Sequence, residues 1–389
     1  MDFYAKIGQG DQNSMTGFTG GLPIILLVNL KHIRGCNMKL ISYKAKCGDA
    51  FHIQYVGRSG CRRNILLDMG YSKTYTDVLK RIISDIADSG EKIDTLFLSH
   101  IHNDHIGGAS KFIRDIESGT VPCNIVAHWI YNAPREYKTV PPSENKNGTL
   151  CSIVSGDSIY EHILRTCPLE IDEYIAGRSF DLDGMRISLL SPNTHELKQL
   201  RDKYANNRPY CIYETDEASI EAGAVYDDYL TPLADFKTDI FQEETSIENA
   251  SSIAAVFEFE GKRILWLADS VPSVVIRSLS EMGFSDSNKL HCDIVILSHH
   301  GSSANNSLDL FRMISAEKFV ISADGINRHC LPNKETIARI ISASSILPVN
   351  LHFNYDDGRI KHIFDIDEVG SLNSLVTAHY LRDMEAIEI

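Results

Sequence analysis

Short apolar stretches alternate with polar ones along most of the chain after residue 38, and this pattern predicts a mixed α/β protein. Apolar runs bounded by Gly, Asp or Ser are typical of buried strands, whereas apolar residues three and four positions apart predict helices with one buried face. The predicted strands are 39–45, 51–56, 63–68, 93–98, 124–127, 185–191, 252–260, 262–268, 291–298, 318–322, 349–353 and 360–366. The predicted helices are 74–89, 109–118, 153–166, 273–282, 308–314 and 334–345. Initial strands followed by strand–helix alternation in both halves predict a four-layer α/β/β/α sandwich.

The same pattern predicts one domain, 38–389, preceded by a lead-in segment, 1–37, outside the core. The apolar run 22–30 in that segment is about half of the ~20 residues that a membrane-spanning helix needs. It also lacks a preceding basic region and a small-residue cleavage site, so we expect neither a membrane segment nor a signal peptide. The pattern weakens at about 132–182 and 193–248, which we interpret as inserted loops and helices that shape a substrate cleft.

Composition narrows the function classes. The 389-residue chain is 43% hydrophobic and 23% charged, as is typical of a soluble globular protein. Its net charge of −14 argues against a broad, sequence-independent grip on nucleic acid phosphates. Nine scattered cysteines without a CxxC pair predict neither a zinc ribbon nor a disulfide framework, and a reducing cytoplasm fits them best.

The strongest chemical signal directly follows the predicted strand 93–98. It consists of His100, His102, Asp104 and His105, within six positions. Imidazoles and carboxylates are ligands for Zn²⁺ and also suit Mn²⁺ or Fe²⁺. Alternate residues leaving a strand point the same way, so His100 and His102 can bind one ion. Asp104 and His105, beyond the bend, can face a neighbouring ion.

Two later predicted strands also end in residues of ligand type. One stops at Asp269, and the other stops at the sequence His299-His300-Gly301-Ser302. Because a packed core fixes the positions of strand ends, such ends are favourable places for an active site. We expect Asp269 to bridge two ions and His299 to complete the second.

These segments resemble the successive motifs of the metallo-β-lactamase fold superfamily. The resemblance rests on 99–108, 269 and 299–302, and Asp68-Met69-Gly70 resembles the first motif, whose Asp orients a metal-bound histidine. Within the superfamily, the chain is most similar to the nuclease-like domain of ComEC-type competence proteins. The features that carry this similarity are 48–50, 249–252, 299–302 and 321–329 with Pro332. The resemblance spans about 39–370 and implies two divalent ions, Zn²⁺ or Mn²⁺.

Many members of this superfamily supply a third histidine to the first ion from between the first cluster and the bridging Asp. The histidines available here are His128, His162 and His195. His128, at the end of a predicted strand, is the best placed, but it could equally be a half-buried histidine beside Trp129. Without it, the first ion would be weakly held or would take a water ligand.

Further residues have candidate roles with structural alternatives. By analogy with the superfamily, Asp104 both binds metal and orients the attacking hydroxide. His300 or His329 could protonate the leaving oxygen, although a histidine before Pro332 could also be a surface residue. The last candidates are residues that could contact substrate but could equally cap a helix near position 308 or shape a turn: Ser302, Ser303 and Asn249.

The leading hypothesis is therefore a metal-dependent hydrolase that uses a metal-bound hydroxide against a phosphodiester, as a nuclease acting on DNA or RNA does. One alternative is a hydrolase of a small ester, lactone, thioester or phosphorylcholine substrate. Another is a non-catalytic binding or assembly module that retains the fold. An acidic protein would engage nucleic acid through a local patch or a protein partner, and the oligomeric state stays open.

Overall fold

A computed structural model describes residues 38–135, 152–166, 173–205, 228–326, 330–356 and 358–389. All of these residues belong to one compact unit, Cys36–Ile389. The predicted lead-in segment, 1–37, and the candidate proton donor His329 lie outside the described residues.

The first half of the chain builds a six-stranded sheet. Its strands are β1 (Lys39–Ser42), β2 (Phe51–Val56), β3 (Arg62–Leu67), β4 (Ile93–Leu98) and β5 (Val126–Tyr131), with the last strand of the chain, β14 (Ala386–Glu388), at one edge. The order is β14-β1-β2-β3-β4-β5. Strands β14 to β3 are antiparallel, whereas β3, β4 and β5 run parallel.

The second half builds an eight-stranded sheet. Its strands are β6 (Ser179–Leu182), β7 (Met185–Ser191), β8 (Ala254–Phe259), β9 (Lys262–Trp266), β10 (Leu290–Ile296), β11 (Ile314–Ile321), β12 (Val349–Phe353) and β13 (Val376–Tyr380). They lie side by side in reverse chain order, from β13 to β6. Strands β9 to β13 are parallel and β6 to β9 antiparallel.

Helices cover the outer faces of both sheets. They are α1 (Ser72–Thr74), α2 (Lys80–Asp88), α3 (Asn103–Glu117), α4 (Ser152–Thr166), α5 (Thr194–Ala205), α6 (Ile247–Ala250), α7 (Pro272–Glu281), α8 (Leu308–Arg312), α9 (Lys334–Ala343) and α10 (Val369–Leu375). A π-helical turn, Tyr75–Leu79, joins α1 to α2. Short 3-10 turns occupy Asp228–Leu230, Leu233–Asp235, Ser298–Gly301 and Gly358–His362.

Three apolar layers hold the sandwich together. Between the sheets, Phe97 of β4 packs edge-on against Phe257 of β8 and Trp266 of β9. A second layer joins the first sheet to α2 and α3, and a third joins the second sheet to α7, α8 and α9. The structure thus confirms the predicted four-layer α/β/β/α metallo-β-lactamase-like sandwich. Among the described residues, no helix combines the length and apolar character needed to cross a bilayer.

Several predicted element boundaries are wrong. The helix predicted at 109–118 begins at Asn103, inside the histidine cluster, and the strand predicted at 124–127 is Val126–Tyr131. A 3-10 turn, Gly358–His362, starts where the strand 360–366 was predicted. The sequence pattern also missed the two closing strands, β13 and β14. Their weak apolar pattern is compensated by pairing with β12 and β1, which a local pattern does not report.

The ranges interpreted as insertions contain parts that are integral to the sandwich. Helix α4 contributes Ile159 and Ile163 to the apolar layer that also contains Phe112 of α3. Strand β6 pairs with β7 as the edge of the eight-stranded sheet. A role of the remaining parts in shaping a substrate cleft stays a prediction.

Candidate metal centre

The histidine cluster lies where β4 ends and α3 begins. His102 precedes the first helical residue, so Asp104 and His105 lie in the first turn of α3. Helix α3 packs very closely on the loop after β3, since a Cβ atom added at Gly108 would lie 2.3 Å from the carbonyl oxygen of Met69. Glycine at this position therefore brings the first turn of the helix against the loop that carries Asp68.

Asp269, three residues after the end of β9, belongs to two groups of potential ligands. In the first group, Asp269 is close to His100 and His102. In the second, it is close to Asp104, His105 and His300. The ligand atoms within each group lie within 4.8 Å of one another. The shared Asp269 thus places one carboxylate next to both groups of potential ligands, and its role as a bridging residue stays a prediction.

Two of the imidazoles in the second group have their other ring nitrogen fixed by a carboxylate. Nδ1 of His105 lies 2.7 Å from Oδ2 of Asp68. The same oxygen accepts a hydrogen bond from the Ser99 hydroxyl, at 2.6 Å. Nδ1 of His300 lies 3.2 Å from Oδ1 of Asp49. A carboxylate behind the imidazole fixes the ring and directs Nε2 toward a metal, as in many metal sites. Asp68 thus contacts the imidazole of His105, and its role in orienting a metal-bound histidine stays a prediction.

Buried polar atoms without hydrogen-bond partners mark the centre. They are Nε2 of His100, Nε2 of His105 and Oδ1 of Asp269. All three side chains are at most 1% exposed. Nε2 of His105 and Oδ1 of Asp269 are 3.2 Å apart. Unsatisfied buried polar atoms are unfavourable unless something binds them, so this donor set fits divalent metal ions such as Zn²⁺ or Mn²⁺.

The electrostatics of the group also favour a cation. Burial lowers the pKa of the His105 imidazole, but the negative charges of Asp269, Asp104 and Asp68 outweigh burial and raise that pKa well above its ordinary value. Burial also acts against ionisation of Asp269, yet its interaction with His105 holds the carboxyl pKa well below its ordinary value. The carboxylates therefore require positive charge at this point, which protons or divalent ions can supply.

His100 differs electrostatically from His105. Burial and the neighbouring His105 lower the pKa of His100 well below its ordinary value. Its Nδ1 lies 3.0 Å from the Ser99 hydroxyl. A neutral imidazole is the form that binds metal, so His100 is already in the ligand-competent state at neutral pH.

The structure places the two consecutive histidines differently from the prediction. His300 was predicted as a proton donor, but it is 1% exposed and its Nε2 lies 3.3 Å from Oδ2 of Asp104. It is therefore the member of the pair that joins Asp104 and His105. His299, predicted to complete that group, lies instead beside Oδ2 of Asp269, at 3.7 Å. These positions arise because both histidines have left-handed backbone conformations, with φ of 45° for His299 and 55° for His300.

The candidate third histidines lie elsewhere. His128 is in the middle of β5, opposite Thr95 of β4, and is exposed, so its predicted position at a strand end is wrong. His162 packs against Trp129, with ring centroids 5.9 Å apart. His195 is an exposed residue of α5. None of the three belongs to the groups of close ligand atoms found among the described residues.

Of the predicted substrate-contacting residues, Ser302 and Ser303 follow His299 along the chain, and Asn249 lies in the short helix α6. Asn249 donates through Nδ2 to Glu244, at 2.9 Å. The Ser303 amide donates to Asn333, and the Ser302 hydroxyl accepts from the Ala304 amide. The cap of α8 is Ser307, so the alternative cap role of Ser302 and Ser303 is wrong, while their substrate contact stays a prediction.

Sequence reasoning missed two carboxylates of the site. Asp49 was noted only as part of the segment 48–50, which carries the similarity to ComEC-type proteins, and was given no role of its own. In the structure this segment packs against the cluster, since a Cβ atom at Gly48 would lie 2.5 Å from the carbonyl oxygen of Asp104. Glu244 lies in a segment with little pattern, and no local signal could have identified it. Its Oε2 lies 3.0 Å from Nδ1 of His299.

The four layers, with a histidine–aspartate centre at the ends of parallel strands, define a metallo-β-lactamase fold. Residues 54–146 match the family model described as the metallo-beta-lactamase superfamily, so this part of the chain is similar to that superfamily. The matched region contains the whole histidine cluster, whereas Asp269, His299 and His300 lie beyond it.

Comparison with solved structures finds matches of low sequence identity. A variant of the CmlA beta-hydroxylase is 13% identical, with a TM-score of 0.37, and the match covers 90% of this chain and 54% of that one. The long form of RNase Z from yeast is 12% identical, with a TM-score of 0.35, covering 90% and 41%. A protein of unknown function from Enterococcus faecalis is 9% identical, with a TM-score of 0.28, covering 89% and 77%. The chain thus spans about half the length of the first two. No curated protein shows significant sequence similarity.

Proposed function

We propose that this protein is a metal-dependent phosphodiesterase that acts on DNA or RNA. The observation that carries the proposal is the position of Asp269, whose carboxylate belongs to both groups of potential ligands. Two ions held on either side of one carboxylate can act on both the attacking and the leaving oxygen of a phosphodiester. The similarity of 299–302 to the nuclease-like domain of ComEC-type proteins supports this substrate class.

Divalent ions at this centre would lower the pKa of a bound water toward ~7 and stabilise the anionic transition state. Asp104 is placed to orient the attacking group, because its carboxylate is partly exposed while its Oδ2 contacts His300. Burial and the nearby charges of Asp104 and Asp324 raise the pKa of the Cys47 thiol well above its ordinary value. Cys47 therefore stays a thiol, which disfavours covalent catalysis by the one described cysteine near the centre.

Substrate engagement has to overcome the net charge of −14. We propose that nucleic acid binds through the metal ions and a local patch, or with the help of a basic protein partner. Binding dominated by a few metal–phosphate contacts would depend less on salt than binding by an extended basic surface.

The proposal can be tested with the purified full-length chain supplied with Zn²⁺ or Mn²⁺. Substrates are bis-p-nitrophenyl phosphate, single- and double-stranded DNA, RNA, and a panel of chromogenic esters, thioesters and phosphorylcholine esters. We expect hydrolysis of the phosphodiesters that EDTA and Asp104→Asn abolish. His362→Ala is the control, since His362 is an exposed histidine paired with Asp365 on the surface.

Other outcomes would contradict the proposal in defined ways. Turnover of esters alone would indicate a small-molecule hydrolase. A protein that binds two ions yet leaves every substrate intact would indicate a binding or assembly module.

A further inference from the structure

The two oxygens of Asp269 face different imidazoles. Oδ1 lies 3.2 Å from Nε2 of His105. Oδ2 lies 3.7 Å from Nε2 of His100 and also 3.7 Å from Nε2 of His299. His299 thus shares its nearest Asp269 oxygen with His100, whereas His105 faces the other oxygen.

The backbone explains how neighbouring histidines reach different sides of Asp269. His299 and His300 are consecutive left-handed residues in a tight turn after β10. Their rings are 5.6 Å apart and nearly perpendicular, at 74°. This turn places both rings close to the carboxylate of Asp269.

The orientation of the His299 ring is fixed from behind. Its Nδ1 lies 3.0 Å from Oε2 of Glu244 and 3.0 Å from Oδ1 of Asn305. Two contacts fix the position of Glu244. Its carboxylate accepts hydrogen bonds from the side-chain amide of Asn249 at both oxygens, and its backbone N–H donates to the Ala304 carbonyl. This arrangement repeats the carboxylate–imidazole pairing of Asp68 with His105, and it directs Nε2 toward Asp269.

We propose that His299 is the third imidazole of the first ion's site, beside His100 and His102, and that Glu244 is its positioning residue. This inference rests on the metal centre of the proposed function and goes further by assigning each consecutive histidine to a different ion. Nε2 of His299 lies outside the compact group of His100, His102 and Asp269, so ion binding would draw it inward. Glu244 belongs to the range 193–248, which would therefore contribute to the centre itself.

The experiment measures zinc binding and not turnover. Competition with a chromogenic chelator gives the dissociation constants of the two zinc ions in the full-length chain. We expect His299→Ala to weaken one binding step as strongly as His102→Ala does. Glu244→Gln should weaken the same step by about 10- to 100-fold, the usual effect of losing a carboxylate behind a metal-binding imidazole. His362→Ala should leave both steps unchanged.

Double variants assign the step to a site. His102→Ala with His299→Ala should leave the other step intact, whereas His299→Ala with His300→Ala should weaken both. Co²⁺ in place of zinc gives a second readout, because the visible d–d bands of the ion in the first site should change in Glu244→Gln. Far-UV circular dichroism checks that each variant is folded.

Two results would overturn the inference. One is unchanged zinc binding in His299→Ala, and the other is weakening of the step that His300→Ala also weakens, with the His100–His102 step intact. A wild-type chain that binds no zinc would instead contradict the metal centre on which the proposed function depends. A wild-type chain that binds two zinc ions but does not hydrolyse phosphodiesters would contradict only the substrate assignment.

Discussion

Two fully buried histidines, one in the first sheet and one in the helix that follows β4, have opposite surroundings. His52 of β2 lies between neutral groups, with Nδ1 3.0 Å from the Tyr43 hydroxyl and Nε2 3.1 Å from Oδ1 of Asn64. His105, after β4, has Asp68 at Nδ1, and its Nε2 has no hydrogen-bond partner. Both are at most 1% exposed. Burial of a histidine therefore does not by itself indicate a site.

The charge of the partners separates the two cases. Burial lowers the pKa of His52 to about 4, so this imidazole is neutral and structural at physiological pH. His105 faces three carboxylates that outweigh the effect of burial and raise its pKa. A buried imidazole with an unsatisfied nitrogen facing carboxylates indicates a cation site, whereas an imidazole satisfied at both nitrogens by neutral groups indicates a structural network.

The same substitution at the two positions should give the largest difference. We expect His105→Ala to lose zinc from the second site and to lower phosphodiesterase activity by about 10³-fold or more, as for loss of a main transition-state contact. His52→Ala should keep both ions and most activity per folded molecule but should unfold more easily, because it leaves a cavity and unpaired buried groups. Metal analysis, kinetics and urea unfolding of both variants measure the difference.

Two results would contradict the assignment of His105 to the metal site and of His52 to a structural network. One is that His105→Ala keeps both ions and its activity, and the other is that His52→Ala loses metal. His362→Ala serves as the control in both assays, since its exposed ion pair with Asp365 contributes little to stability.

The second largest effect expected is a loss of folding stability at acid pH that is caused by His52. Its pKa is about 4 in the folded chain against about 6.5 when unfolded, so the unfolded state binds more protons between these values. The contribution of a neutral His52 is therefore present above about pH 6.5 and is lost as pH falls toward 4. The difference of about 2.5 pH units corresponds to about 3 kcal/mol. Urea unfolding in EDTA at pH 7 and pH 4.5 measures it.

His52→Gln, which cannot titrate, is the matched variant for this experiment. Its free energy of unfolding should fall less between the two pH values than that of the wild type. An identical fall in both proteins would show that His52 is not responsible for the acid sensitivity.

Much of the centre could be predicted from the sequence because its ligands are local. His100, His102, Asp104 and His105 lie within six positions, and the apolar strand before them places them at a sheet end. The fold was equally accessible, since parallel strands with intervening helices have a strong apolar pattern. Asp269 was predictable for the same reason, as a carboxylate that ends a buried strand.

What the sequence did not show depends on contacts between distant segments and on unusual backbone. Glu244 meets His299 across 55 positions and Asp49 meets His300 across 251, and neither carboxylate has a local pattern of its own. His300, and not His299, lies beside Asp104 and His105 because both histidines have left-handed backbone conformations. Sequence propensity does not predict two such residues in succession for histidine. Strand β14 depends on pairing with β1 at the other end of the domain.

The smallest effect is expected from a substitution of Asp68, the carboxylate at Nδ1 of His105. This substitution tests whether that carboxylate makes His105 differ from His52. Asp68 accepts from the Ser99 amide and hydroxyl and contacts Nδ1 of His105, so Asp68→Asn keeps the shape but removes the charge. We expect zinc affinity of the second site to fall by about 10- to 100-fold, while the first site changes less. Chelator competition on the purified variant measures both sites. Because an Asn amide can donate where the carboxylate only accepts, it can also clash with the Ser99 amide. Asp68→Ala therefore serves as a companion. Wild-type zinc affinity in Asp68→Asn with a loss only in Asp68→Ala would mean that Asp68 contributes shape alone, whereas equal affinity in all three proteins would mean that Asp68 does not support the second site.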